Sequence, residues 1–229
     1  MSNFDFAVVW DSLPYLFLVG MRFTLTLTFL SALGGVVLGT LLAVLRLSGG
    51  PILSGFVAGY VNLVRALPLV LVIFWFYFLV PYLGQWVTGS PRPIQVGGFS
   101  SALITFIVFE AAYFSEIMRA GIASIPRGQS FAGQALGLTH TQLMRYVILP
   151  QVFRIMLPVL LTQTIVLFQD TSLVYVLSIT DFLGAASKIA ERDGRLVEMY
   201  SFAALVYFVL SFAASRGVRR LRARFAVPV

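Results

Sequence analysis

Residues 124–154 read SIPRGQSFAGQALGLTHTQLMRYVILPQVFR. The stretch is the longest interval between hydrophobic runs that keeps a regular helical pattern, and it divides into two short helices with a glycine joint. Pro126 suits a first helical turn, with Ser124 placed to cap it. Gly137 stands where a left-handed residue ends that helix. Thr139, followed three residues later by Gln142, makes a capping box for the second helix. Leu143, Val147 and Ile148 then line one side, and Pro150 closes it. A plain alternative is a surface helix pair lying on a membrane. The sharp punctuation speaks for a compact element with a task between two spans.

Working outward, the 229 residues are 59% hydrophobic and 11% charged, with a mean hydropathy of +0.92. At this length such a composition marks a polytopic membrane protein, and one membrane domain, 1–229, accounts for the chain. The sequence has no cysteine, which excludes disulfides, thiolate metal sites and thiol chemistry. Basic residues collect in the cytoplasmic loops of membrane proteins, so the net charge of +7 needs membrane lipid and no nucleic acid to explain it. Asp5 and Asp11, without a basic start, speak against a cleavable signal peptide.

A hydrocarbon core of about 30 Å needs roughly 20 apolar helical residues. Five stretches qualify, at 23–45, 60–80, 99–118, 156–179 and 199–215, giving an all-α membrane protein with five transmembrane helices. Residues 13–21 are too short to span before Arg22 and read as an interfacial entry helix. Arg46 and Arg65 bracket the first loop, and Arg119, Arg127, Arg145 and Arg154 fill the third. The tail holds Arg216, Arg219, Arg220, Arg222 and Arg224, whereas the Pro- and Gly-rich loop 81–98 holds only Arg92. The positive-inside rule then puts the C-terminus and residues 120–154 in the cytoplasm and the N-terminus outside.

Ser31, Gly35, Gly39 and Ala43 recur at four-residue steps and allow close helix approach, to a partner subunit or within the chain. Residues 181–193 form an expected external amphipathic helix ended by Gly194. Its apolar face rests on the bilayer, and its charged face could dock an external protein.

Ionisable groups inside spans are costly and mark candidate sites. Asp170 lies in the fourth span, with Gln163 two helical turns before it on the same face. A carboxylate there suits an ammonium group; the alternative is that Asp170 caps a broken helix through the Ser172 and Leu173 amides. Thr171 follows it. Glu110 lies midway along the third span, facing a cavity or bonding to a neighbouring helix. Glu116 and Arg119 are spaced for a local ion pair. Arg65 either snorkels or attracts an anion, and His140 reads as exposed. No phosphate-binding loop, metal-spaced cluster or nucleophile elbow occurs, so the chain is expected not to be an enzyme and to have no catalytic, metal or cofactor-binding residues.

Gly137, nine residues, then Val147-Ile148-Leu149-Pro150 resembles the cytoplasmic loop of ABC-importer permeases. The family's Glu-Ala-Ala triplet is Phe131-Ala132-Gly133 here, so its glutamate is missing. Arg65-Ala66-Leu67-Pro68-Leu69, Glu110 through Ile117, Arg119-Ala120-Gly121-Ile122 and Gln169 through Val174 are similar to the polar amino-acid permeases of that class. Arg192-Asp193-Gly194 and Val197-Glu198-Met199 are similar to a permease of the bacterial glutamate/aspartate importers.

The resemblance implies a type I permease fold in a bacterial inner membrane. Ala132, Gly137, Thr139, Thr141, Leu143, Leu149 and Pro150 would form the coupling element against a separate ATPase. It further implies a second permease subunit, homologous and non-identical, two ATPase subunits that hold the ATP–Mg, and an external amino-acid-binding protein. Alternating access would carry glutamate or aspartate, with Asp170, Gln163, Thr171 and Glu110 lining the substrate site. A neutral amino acid such as glutamine is the alternative substrate. An ion-coupled secondary transporter is a rival class, disfavoured because no internal repeat is visible.

Overall fold

The computed structural model describes residues 4–225, with side chains through residue 223, so Arg224 of the basic tail lies outside the described side chains. Five of its helices are long and apolar enough to cross a membrane. The first, α1, runs unbroken over Phe6–Ser48. Residues 13–21 are therefore part of this helix and not a separate entry helix. Pro14 lies inside it, and the ladder loosens into wide π-type turns over Leu16–Met21. Neither feature ends the helix.

The second span differs most from expectation. Leu67 is extended, with φ −95° and ψ 140°, because the residue before a proline is driven out of the helical region. The chain therefore makes one helix, α2, at Pro51–Ala66 and a separate apolar helix, α3, at Leu69–Thr88. The expected span 60–80 straddles that break. The expected loop 81–98 shrinks to 89–97 and begins at Gly89, whose φ is +65°. The next span, α4, is Gly98–Ser124.

The stretch 124–154 keeps its two-helix plan with altered ends. Ser124 is the last residue of α4 and donates its hydroxyl to the Gly121 carbonyl at 2.7 Å, so it caps nothing downstream. Ile125 is extended before Pro126, and Pro126 itself takes the cap position of α5, Arg127–Ala135. Gly137 turns left-handed at φ +77°. The capping box forms: the Gln142 N–H donates to Thr139 Oγ1 at 3.3 Å, and the Thr139 N–H to Gln142 Oε1 at 2.9 Å. Pro150 does not close the next helix. The wide turns over Met144–Ile148 leave Pro150 at the start of a fresh α-helical run, where a missing N–H costs little. Helix α6 therefore continues over His140–Leu177, with Pro158 inside it and a tighter 3₁₀ winding from Thr171. The expected span 156–179 covers its C-terminal part and runs two residues past its end.

Helix α7, Phe182–Asp193, ends at Gly194 with φ +66°, as the sequence predicts. Its apolar face is not on the bilayer. Phe182, Ala185, Ala186, Ile189 and Ala190 pack into a core with Leu16 and Met21 of α1 and Met199 and Ala203 of the last helix, α8, Leu196–Phe225.

The tightest contact joins α1 to α4. A Cβ on Gly39 would stand 2.8 Å from the Phe114 Cβ and the Ser115 N, and 2.9 Å from the Ala111 O. The small-residue stripe Ser31, Gly35, Gly39 and Ala43 is buried, and its two glycines face α4 of the same chain. Leu25, Phe29, Leu33, Val37 and Leu41 point outward from α1 as an exposed apolar face fit for lipid.

Candidate functional site

Pairing of α4 with α6 places the intramembrane carboxylates. Glu110 is fully buried. The Gln163 amide donates to its two oxygens at 3.1 and 3.4 Å. Of the two readings of Glu110, the bond to a neighbouring helix is the one realised. Its partner is the amide that shares a face with Asp170. A buried carboxylate is costly unless hydrogen-bonded, so this pair also fixes the rotation of α6 against α4.

Asp170 is half-buried at the last α-helical position of α6, where the winding tightens. It makes no capping bond to the following turn, so its carboxylate is not spent on the helix break. Thr171 faces inward, fully buried, and its hydroxyl donates to the Phe168 carbonyl at 2.7 Å. The structure thus brings Glu110, Gln163 and Asp170 into one neighbourhood and turns the Thr171 side chain into the packing.

A polar column continues along α4 at helical spacing. Tyr113 carries the Arg65 guanidinium over its ring, 5.4 Å from the centroid. Glu116 is held from two sides. The Arg46 Nη1 donates to it at 2.9 Å and the Arg119 Nε at 3.0 Å. The local pair expected for Glu116 and Arg119 is therefore a bridge that also ties α1 to α4. These residues were each visible in the sequence. Their convergence was not, because Glu110 and Gln163 are 53 residues apart and Arg46 and Glu116 are 70 apart.

The helix pair within 124–154 forms a second candidate surface. Leu143 is buried, and a Cβ on Gly133 would meet its Cδ1 at 2.6 Å, so the glycine lets α5 lie against the start of α6. Ala132, Gly137, Thr139, Thr141 and Pro150 are exposed, and Leu149 is half-buried. Phe131 and Leu136 are 65% and 82% exposed. His140 is exposed as expected, and its Nε2 lies 2.8 Å from Ser48 Oγ, which ties the element to the end of α1. Among the described residues no cluster of three or more His, Cys, Asp or Glu has metal-binding geometry.

Comparison with known proteins extends over the whole molecule. Residues 35–227 match the family described as binding-protein-dependent transport system inner membrane component. The glutamate/aspartate import permease protein GltK of Escherichia coli O157:H7 is 54% identical over 228 residues, covering 99% of this chain and 100% of that protein. The glutamine transport system permease protein GlnP of Escherichia coli strain K12 is 31% identical, covering 98% and 99%. A crystal structure of an amino acid ABC transporter with histidines superposes with a TM-score of 0.82 at 30% identity, covering 96% of this chain and 98% of that one.

Proposed function

We infer the function from one premise: the chain belongs to the family of binding-protein-dependent transport system inner membrane components. It is a transmembrane permease subunit of an amino-acid ABC importer. The substrates we assign are glutamate and aspartate, carried by alternating access. The observation that supports this choice is the end-to-end likeness at 54% identity to a glutamate/aspartate permease, against 31% to a glutamine permease.

In this reading Asp170 meets the α-ammonium group, and the second N–H of Gln163 donates to the side-chain carboxylate or the α-carboxylate. Glu110 orients Gln163 through the bond between them. ATP is hydrolysed on two separate subunits, and the surface from Ala132 to Pro150 receives their motion. A second, homologous permease subunit closes the pathway, and an external binding protein delivers the amino acid. The N-terminus lies outside and the C-terminus in the cytoplasm, by the distribution of Lys and Arg.

The test is uptake of labelled glutamate into proteoliposomes holding this chain with its co-encoded permease, ATPase and binding protein. ATP is supplied on the cytoplasmic side, with aspartate, glutamine and arginine as competitors. ATP-dependent uptake blocked by aspartate alone is the expected result. Blocking by glutamine keeps the class and changes the substrate. Uptake that ignores ATP and follows an ion gradient removes the ABC mechanism.

A further inference from the structure

A polar seam runs between α6 and α8. Its first part is a cavity of about 400 Å³, whose lining includes Gln169 and Ser172 of α6 and Ser211, Ser215 and Arg219 of α8. The Gln169 amide donates to Ser211 Oγ at 3.0 Å and pins the two helices there. At Ser215 and Arg219 the seam meets a second cavity, of about 780 Å³, whose lining adds Val159 and Thr162 of α6 and Arg222 of α8. Ser211 and Ser215 lie within the helix Leu196–Ala223, which is long and apolar enough to cross a membrane.

Polar side chains in a row at bilayer depth turn toward another helix or toward water. A dry helix contact would have to pair the guanidinium groups, and Arg219 and Arg222 form no ion pair among the described residues. A buried unpaired charge is costly, so water is the better occupant. The charge is also one-sided, because no Asp or Glu lines either cavity. Like charges three residues apart on a helix repel. A carboxylate between the two guanidinium groups relieves that repulsion and takes up their N–H groups in short, strong bonds.

The larger cavity adjoins the candidate substrate residues along α6. Val159 lies one turn before Gln163 on the same face, toward the Thr139 cap, and Thr162 precedes Gln163 in sequence. We propose that this seam is the cytoplasmic half of the transport path, and that Arg219 and Arg222, with the Ser215 hydroxyl, hold a carboxylate of the substrate there after it leaves Gln163 and Asp170. This rests on the reading of the chain as a permease for glutamate and aspartate with a cytoplasmic C-terminus. The two stations differ in chemistry: the first offers carboxylates and an amide, and the second offers only cations and hydroxyls. The second therefore has no need of the ammonium group and takes a plain dicarboxylate as well.

The sequence has no cysteine, so Val159→Cys puts a single thiol of this chain on the cavity wall. The chain is assembled in nanodiscs with its second permease subunit and the ATPases. It is treated with an anionic or a cationic methanethiosulfonate, and the mass gain of this chain is followed in time. Both reagents should react, and the anionic one should be favoured about fivefold or more relative to a free thiol in solution. Succinate or glutamate, at constant ionic strength, should slow the anionic reagent about threefold or more, and glutamine should not. Arg219→Gln with Arg222→Gln should remove the preference and the protection. Arg216→Gln with Arg220→Gln removes the same charge from the side of α8 turned away from the cavity and should leave both.

A thiol that neither reagent reaches overturns the proposal, because lipid or another subunit then covers the seam. Reaction without an anionic preference overturns it too, as do equal losses in the two double variants, which would report net charge alone. If the Arg219 and Arg222 double variant fails to assemble, Arg222→Gln decides: a preference cut by about half or more supports the site, and an unchanged one overturns it. A complex protected by succinate that takes up glutamine in place of glutamate keeps the anion site and removes the substrate reading.

Discussion

Helix α7 and the pair formed by α5 and the start of α6 are built from the same local parts and come to opposite ends. Each has a polar side chain at a helix start, Asp181 for α7 and Thr139 for α6. Each is bounded by a left-handed glycine, Gly194 in one case and Gly137 in the other. Yet α7 buries Phe182, Gly184, Ala185, Ala186, Ser187, Ile189 and Ala190, while α5 buries only Gly133. Capping and glycine placement therefore decide where a helix begins and stops, and nothing about what covers it. Helix α7 is completed by its own chain. The pair of α5 and the start of α6 keeps Phe131 and Leu136 in the open, as a surface awaiting another protein would.

The largest expected effect tests the caps. Asp181 is fully buried and accepts the N–H groups of Leu183 at 3.0 Å and Gly184 at 2.8 Å. Asp181→Ala leaves both donors without an acceptor inside the protein. It should cost about 2 kcal/mol relative to Asp181→Asn, which keeps an acceptor. Thermal unfolding in detergent measures the difference.

A pH effect of roughly 1–2 kcal/mol comes next. Burial pushes the Asp181 carboxyl up to about 6, against the lowering pull of the Gly184 and Leu183 amides. Below that value the folded protein holds a proton that the unfolded chain, with an ordinary carboxylate pKa, has released. The folded form binds more protons, so stability rises as pH falls from about 7.5 toward 5 and is lost as pH climbs back through 6. Asp181→Asn should flatten that slope, and an unchanged slope would place the titration elsewhere.

Thr139→Ala removes an exposed cap and should cost only about 0.5–1 kcal/mol. A cost equal to that of Asp181→Ala would erase the contrast between the two regions. Smallest of all, Phe131→Ser with Leu136→Ser should shift stability by less than about 0.5 kcal/mol, since exposed side chains contribute little. The same double variant should reduce co-purification of the ATPase subunits. A stability loss of several kcal/mol would mean that this chain itself covers those residues.

Sequence made the local devices legible and left the long-range ones hidden. The capping box at Thr139 and Gln142, the turns at Gly137 and Gly194, and five apolar spans are all written in short windows. Proline misled in both directions, for one physical reason. At Pro68 the preceding residue is forced extended and the span breaks. At Pro150 a wide turn has already vacated the hydrogen bond that proline cannot make, so the helix runs on. Periodicity cannot tell these cases apart. It put Asp170 and Gln163 on one face of α6, but the bond from Gln163 to Glu110 depends on how α4 and α6 pack, and no local window holds both residues.

The unbroken run of α6 from its Thr139 cap to Asp170 gives it the form of a lever. At 1.5 Å per residue, Thr139 to Asp170 spans about 45 Å. Pro158 is buried against the rest of the chain, and a rigid helix pivoting at that level would have arms of about 28 and 18 Å. A push on the longer arm, at the Thr139 end, would reach Asp170 reversed in direction and reduced to about two-thirds in stroke. The two candidate sites would then need no hinge between them: the distance at which one proline sits would set the gearing.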